Sequence, residues 1–333
     1  MLEHGGRLNQ AMAQFGGTQT EWIDLSTGIN PQCYPAPLLP PAIWQRLPET
    51  SAELNAAACQ YYGAPQVLAV AGTQAAIQAL PRLRATSCAP ARVVVAAPAY
   101  AEHAHHWSGH GHTVRQVTYS ALAQALEDCD VMVICNPNNP TGECIAAAQL
   151  LLWAEHLAQR GGWLIVDEAF ADMTPEISVA AYSAQPGLIV LRSVGKFFGL
   201  AGLRLGFVAA HSELLQPLET LLGPWTISTA AQLIGCHALQ NHVWQQTMQQ
   251  QLLAAGLRLQ TLLQQFGISS SGSGLFQWWP EPRPEDFSRH MAQQKILVRL
   301  FTQAGRGIRL GLPADELAWQ RLAAALQRWK QNG

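Results

Sequence analysis

Six apolar runs of strand length constrain what this chain can fold into. They are "VLAVAG" (67–72), "RVVVAAP" (92–98), "DVMVICNP" (130–137), "GWLIVDEAF" (162–170), "GLIVLRSV" (187–194) and "LRLGFVAA" (203–210). Each is apolar on both faces and bounded by Gly, Pro or Asp, as strands are when helices cover both sides of a sheet. Helical stretches between them imply parallel neighbours. The last two runs are joined by a short link, so one strand there is expected to run antiparallel. The expected class is α/β, a mostly parallel central sheet with helices on both faces.

The remaining sequence frames this body. Residues 1–35, with "STGINPQCYPAPLLPP", read as an irregular arm laid over a large domain at 36–225. "WQQTMQQQLLAAGLRLQTLLQQF" (244–266) reads as one amphipathic helix with glutamines on its solvated face. "LFQWW", "ILVRLF", "GIRLGL" and "DELAWQRLAAALQRW" then suggest a small α+β domain, 226–333. A net charge of −2 gives no electrostatic case for nucleic acid or an anionic membrane. The start, "MLEHGGRLNQ", lacks the apolar core of a signal peptide, and no apolar stretch is long enough to span a bilayer. Seven scattered cysteines without a CxxC are expected to be reduced thiols of a cytoplasmic protein.

In open α/β sheets ligands bind at the carboxyl ends of the strands, so the residues just after each run matter. After the first comes Gly72-Thr73-Gln74 and a helical stretch, a small-residue turn that offers N–H groups to an anion such as phosphate. A plain tight turn fits the same residues. After "VMVIC" comes "NPNNPTG" (136–142), a rigid turn dense in amides. After "GWLIV" comes Asp167, an acid expected to need a cationic or hydrogen-bonding partner. "SVGKFFGLAGLRLGF" (193–207) sets Lys196, one of three lysines in the chain, among glycines, phenylalanines and leucines. Apolar surroundings disfavour a lysine's charged form and make it nucleophilic. Ser193, three residues earlier, can share a helical face with it. An aldehyde for Lys196, a phosphate for Ser193, Arg204, Thr73 and the Gly72 turn, and a cationic ring nitrogen for Asp167 together describe pyridoxal 5′-phosphate.

"NPNNPTG", "DEAF" and the lysine motif, in this order and spacing, resemble the fold-type I pyridoxal-phosphate enzymes. They are most similar to the branch holding histidinol-phosphate aminotransferases and threonine-phosphate decarboxylases, over nearly the whole chain. The resemblance implies that Lys196 forms the imine with the cofactor aldehyde and that Asp167 keeps the pyridinium protonated. It further implies that Asn139 binds the ring hydroxyl, that Tyr100 stacks on the ring, and that Gly72, Thr73, Gln74, Ser193 and Arg204 hold the cofactor at its phosphate end. Arg309 resembles the arginine that clamps the substrate carboxylate, and Asn139 is expected to touch the substrate as well as the cofactor. Tyr61 or Tyr62 resembles a tyrosine that reaches a second subunit, which implies a homodimer.

Three features favour the decarboxylase side. "HGGRL" and "STGINP" are similar to its substrate-binding arm, which would put His4, Gly5 and Asn30 on the substrate. Phe170 stands where many aminotransferases place a tyrosine bonded to the ring hydroxyl. Arg299 resembles a second substrate-binding arginine, fitting a substrate with both carboxylate and phosphate; a surface ion pair is the plainer reading. "LGLP" after Arg309 lacks the further arginine of some relatives. The implied reaction is decarboxylation of L-threonine O-3-phosphate to (R)-1-amino-2-propanol O-2-phosphate, for the cobalamin nucleotide-loop linker. An aminotransferase of the histidinol-phosphate type is the alternative, and a non-enzymatic regulator on the same fold a third. Five histidines in "EHAHHWSGHGH" (102–112) lack metal-ligand spacing and a neighbouring cysteine; they are expected on a helix, exposed or paired, with no metal.

Overall fold

The computed structural model describes residues 4–87, 89–303 and 305–332. Six cysteines are free thiols, and Cys88 lies outside the described residues. The chain divides into two compact units. The larger takes Cys33–Asn138 and Glu143–Thr247, and the smaller gathers Met1–Gln32, Asn139–Gly142 and Met248–Gly333. A boundary expected near residue 225 thus lies inside the larger unit, and the expected arm belongs mostly to the smaller one.

All six apolar runs form strands of one seven-stranded sheet in the larger unit. The strands are β1 (Leu68–Val70), β2 (Arg92–Ala96), β3 (Thr113–Val117), β4 (Val131–Cys135), β5 (Trp163–Asp167), β6 (Leu188–Ser193) and β7 (Gly206–Ala209). Their order is β1-β7-β6-β5-β4-β2-β3. Strands β2 to β6 pair in parallel, and β7 runs antiparallel to both β6 and β1, as the short link implied. The register sets Cys135 opposite Asp167, Asp167 opposite Leu191, and Ser193 opposite Gly206. The carboxyl ends that carry the motifs are therefore level.

Both faces are covered. Helix α1 (Thr73–Ser87) sends Ile77 and Leu80, and α2 (Glu102–Gly109) sends Trp107, into a core with Val93, Val95, Val131, Val133, Ile165 and Val208. Burying each such side chain contributes about 1.5–3 kcal/mol. Helix α3 (Ala147–Ala158) buries Leu150, Trp153, Ala154 and Leu157, one stripe at i, i+3, i+4 and i+7.

The smaller unit holds an antiparallel sheet of β8 (Ser271–Ser273), β9 (Phe276–Trp279), β10 (Arg299–Phe301) and β11 (Gly307–Gly311), in the order β10-β11-β9-β8. Ile23–Asp24 pairs in parallel with Ile296–Leu297, and Ala11 packs with Trp22 and Ala292. The helix expected over 244–266 is His242–Gln265. Among the described residues, no helix is long and apolar enough to cross a membrane.

Candidate active site

The expected phosphate site is built around a glycine whose backbone conformation strains any other residue. Gly72 turns with φ +72°, and a Cβ there would lie 2.5 Å from Nη2 of Arg204. A Cβ on Gly206 would lie 2.8 Å from the Thr73 nitrogen. Helix α1 begins at Thr73, so its first N–H groups have no acceptor within the helix. Arg204 itself sits at φ 55°, a left-handed conformation costing a non-glycine residue about 1–2 kcal/mol. A guanidinium thus rests against a helix N-terminus, an arrangement unfavourable until an anion joins it. Ser193 ends β6; its Oγ accepts from Gly195 N at 3.1 Å, which leaves the hydroxyl proton as a donor. A phosphate ester fits this donor set.

Asp167 ends β5 and is 6% exposed. Its Oδ2 lies 2.9 Å from His103 Nε2, and its Oδ1 accepts from Ala169 N at 3.1 Å. Tyr100 meets the His103 ring edge-on, at 6.1 Å between centroids. The expected helix after Tyr100 exists, with His103 and His106 paired to acids. Cys135, far from these histidines in sequence, brings its sulfur within 4.8 Å of ligand atoms of His103 and Asp167.

Lys196 is half-buried between Gly195 and the buried Phe197 and Phe198. Its Nζ lies 5.3 Å from the centroid of the Phe170 ring. The helical face expected to join it to Ser193 does not exist: Ser193 closes a strand and Lys196 lies in the turn after it. Phe170, 5% exposed, brings no hydroxyl to this place.

The amide-rich turn divides its work. In the larger unit, Asn136 exchanges two hydrogen bonds with the Ile145 backbone, and Asn138 donates to Pro98 O at 2.8 Å. Asn139 belongs to the smaller unit, where its Oδ1 accepts from Arg309 Nη1. Arg309 also donates to Ser26 O at 2.9 Å, while its Nε is buried without a hydrogen-bond partner. Burial, followed by the nearby charge of Arg299, pushes its proton affinity down. A guanidinium nonetheless stays charged at neutral pH, so a buried cation here would be stabilised by an anion.

A cavity of about 360 Å³ in the smaller unit is lined by His4, Gly5, Arg7, Ser26, Arg289 and Arg299, among others. Gly5 is required at its place: a Cβ would lie 2.3 Å from Ser26 O. Asn30 is 2% exposed, and its Oδ1 caps its own turn at Gln32 N, 2.8 Å away.

Sequence reasoning missed a buried ionic cluster behind the strand ends. Arg192 donates to Glu168 Oε2 at 2.7 Å and to Asp172 Oδ1 at 3.0 Å. Tyr61 donates to Asp172 Oδ1 at 3.0 Å, and the Arg192 guanidinium stacks over Tyr62 at 4.5 Å. The Tyr61 hydroxyl is therefore engaged within its own chain. Burial pushes both carboxyls up and Arg192 pulls them down. The only sequence signal was a charged residue next to each site residue, Glu168 after Asp167 and Arg192 before Ser193.

A mostly parallel sheet with one antiparallel strand, a lysine after β6, an acid ending β5 and an anion cup before α1 together define a pyridoxal-phosphate enzyme of the aminotransferase type. A model of the family Aminotransferase class I and II matches residues 45–319, and the chain belongs to that family, whose cofactor is pyridoxal 5′-phosphate. The chain is 49% identical over 332 residues to a threonine-phosphate decarboxylase from Pseudomonas aeruginosa, covering 99% of each chain. It is 40% identical over 341 residues to one from Sinorhizobium sp, covering 98% of each. Its fold is similar to that of a histidinol-phosphate aminotransferase from Clostridium acetobutylicum, with TM-score 0.78 at 19% identity over 93% of this chain and 99% of that one.

Proposed function

We propose that this chain decarboxylates L-threonine O-3-phosphate to (R)-1-amino-2-propanol O-2-phosphate, the linker of the cobalamin nucleotide loop. The observation that carries this reading is full-length similarity at 49% identity to a threonine-phosphate decarboxylase. Two features of the smaller unit support it. Arg309 is a buried cation suited to a carboxylate, and the basic cavity beside Gly5 is suited to a phosphate.

The cofactor, when bound, supplies an electron sink for the bond broken at the substrate's Cα. Gly72, Thr73, Gln74, Ser193 and Arg204 would hold its phosphate, Lys196 its aldehyde carbon, and Tyr100 a face of its ring. Asp167, oriented by His103 and the Ala169 N–H, would hold a proton on the ring nitrogen. Asn139 stands next in sequence to the braced Asn138 and would bind the ring hydroxyl. Arg309 would grip the substrate carboxylate. His4, Gly5, Asn30 and Arg299 complete the proposed substrate set. Lys196, or an ordered water, would return a proton to Cα. Phe170 offers no hydrogen bond, so Asp167, Tyr100 and the phosphate cup would be left to orient the cofactor.

The protein is further proposed to be a cytoplasmic homodimer. The larger unit exposes Leu38, Trp44, Leu47 and Trp225, large apolar side chains that a second copy would cover.

The test is to mix cofactor-loaded protein with L-threonine O-3-phosphate, without any keto acid, and follow carbon dioxide and the amine product by mass. Catalytic carbon dioxide with aminopropanol phosphate is expected. No carbon dioxide, with conversion of the cofactor to its amine form by histidinol phosphate, would instead make the chain an aminotransferase.

A further inference from the structure

The histidine-rich segment after Tyr100 takes no direct part in the proposed chemistry, yet its first turn is tied to the cofactor residues by a directional chain of hydrogen bonds. The Tyr100 hydroxyl donates to Gln74 Oε1 at 3.1 Å. Gln74 Nε2 donates to Glu102 Oε2 at 2.7 Å. His106 Nε2 lies 2.9 Å from the same oxygen. Glu102 is 8% exposed, so its carboxylate depends on these partners more than on water.

Each member sets the next. A carboxylate accepts only, so Gln74 must turn its NH₂ toward Glu102 and its carbonyl toward Tyr100. Burial, then the nearby carboxylates of Glu102 and Asp167, push the Tyr100 phenol up to about 12. At neutral pH it is therefore always protonated and always a donor. The Gln74 side chain is thereby committed, and its contribution to the phosphate cup falls to its backbone N–H in the first turn of α1. Helical spacing explains how one short element does this. Glu102 and His106 stand at i and i+4 on one face, and His103, one residue after Glu102 and turned away from it, takes Asp167.

We propose that Glu102 and His106 are positioning residues: through Gln74 they orient the Tyr100 hydroxyl, and with it the ring face that Tyr100 offers the cofactor. This rests on the reading of Tyr100 as the residue stacked on the cofactor. Glu102 touches neither cofactor nor substrate in this scheme. Its charge is used to hold an amide, and the amide is used to hold a phenol.

The experiment is a double-mutant cycle read as cofactor affinity. Apoprotein is titrated with pyridoxal 5′-phosphate, and absorbance gives Kd for the parent, Glu102→Gln, Tyr100→Phe and the double variant. Tyr100→Phe keeps the ring and removes only the donor. Glu102→Gln is expected to weaken binding about tenfold in the parent, the effect of one hydrogen bond of ordinary net strength. In the Tyr100→Phe background it is expected to weaken binding less than about twofold. A role confined to folding would not show this dependence. The same factor in both backgrounds would overturn the proposal, because Glu102 would then act independently of the phenol. Should Glu102→Gln fail to fold, the partly exposed His106→Gln replaces it in the same cycle. If the parent itself takes up no pyridoxal 5′-phosphate, the cofactor reading falls, and this proposal with it; equal weakening sinks the positioning role alone.

Discussion

Replacing Arg192 with Met should destabilise the protein much more at pH 8 than at pH 5. Arg192 is the cation between Glu168 and Asp172, and the three side chains are 4%, 0% and 0% exposed. Glu168 would keep Ser178 Oγ at 2.5 Å and Val179 N at 2.8 Å, and Asp172 would keep Tyr61. Both would lose the Arg192 charge. Burial already raises both carboxyls, and Arg192 opposes it. With the guanidinium gone, the folded state can keep both only by holding protons on them. A carboxyl whose folded pKa exceeds its unfolded value contributes most stability at low pH, and loses it as pH rises toward the folded pKa. An unfolded carboxyl titrates near pH 4, and each pH unit above that costs about 1.4 kcal/mol for a group held neutral. One unit, at pH 5, gives a loss of about 1–3 kcal/mol for the pair. At pH 8 the loss reaches about 3–5 kcal/mol, the usual effect of breaking a buried ion pair, where relaxation and water entry limit it. Asp172→Asn is the control. It keeps an acceptor for Tyr61, leaves one cation facing one carboxylate, and should cost about 1 kcal/mol or less. Urea midpoints and slopes of the apoproteins at both pH values measure this. Equal losses for Arg192→Met at pH 5 and pH 8 would refute the reasoning, as would a loss under about 1 kcal/mol at pH 8.

Lys196→Ala should abolish both the visible absorbance of the cofactor-bound protein and turnover; surviving turnover would remove Lys196 from the chemistry. Gly72→Ala places a Cβ against Arg204 and strains a left-handed turn, so affinity for pyridoxal 5′-phosphate, read by absorbance titration, should fall roughly a hundredfold. Arg309→Leu should lower kcat/KM for phosphothreonine by at least roughly thirtyfold, since truncating one side of a buried charge pair costs about 2–5 kcal/mol. Its cofactor affinity should fall no more than about tenfold, the effect of loosening the Asn139 that Arg309 holds, and a loss there as large as that in kcat/KM would place Arg309 in the wrong role.

The sheet was legible because burial on both faces leaves little choice of residue: Val131–Cys135 and Leu188–Ser193 are buried at every position. Strand β3 was not. "TVRQV" lies at the sheet edge with exposed Thr113, Arg115 and Gln116, and nothing in its local pattern separates it from a loop. The candidate site residues were legible where one segment carries several of them, as in 193–207. Pairings across the fold were not. His103 and Asp167 are 64 residues apart, and Arg192 and Asp172 are 20 apart on different elements. No period or motif joins such partners; only the strand register does. The helical face drawn between Ser193 and Lys196 failed because β6 runs on through Ser193 before the chain turns.

The smaller unit's discontinuity also has a consequence for how the protein is made. Ile23 pairs with Ile296, Lys295 Nζ donates to Phe15 and Gly16 carbonyls, and Gly311 N donates to Leu25 O at 2.7 Å. The residues nearest the start of the chain are therefore synthesised early and find their partners last. At ordinary translation rates of about 5–20 residues per second, they wait tens of seconds with Trp22, Ile23 and Leu25 exposed to whatever else is in the cell. Residues 33–247 hold the whole larger unit and can close while that segment is still waiting. Residues 11–25 thus complete their packing only after residues 292–311 have been made.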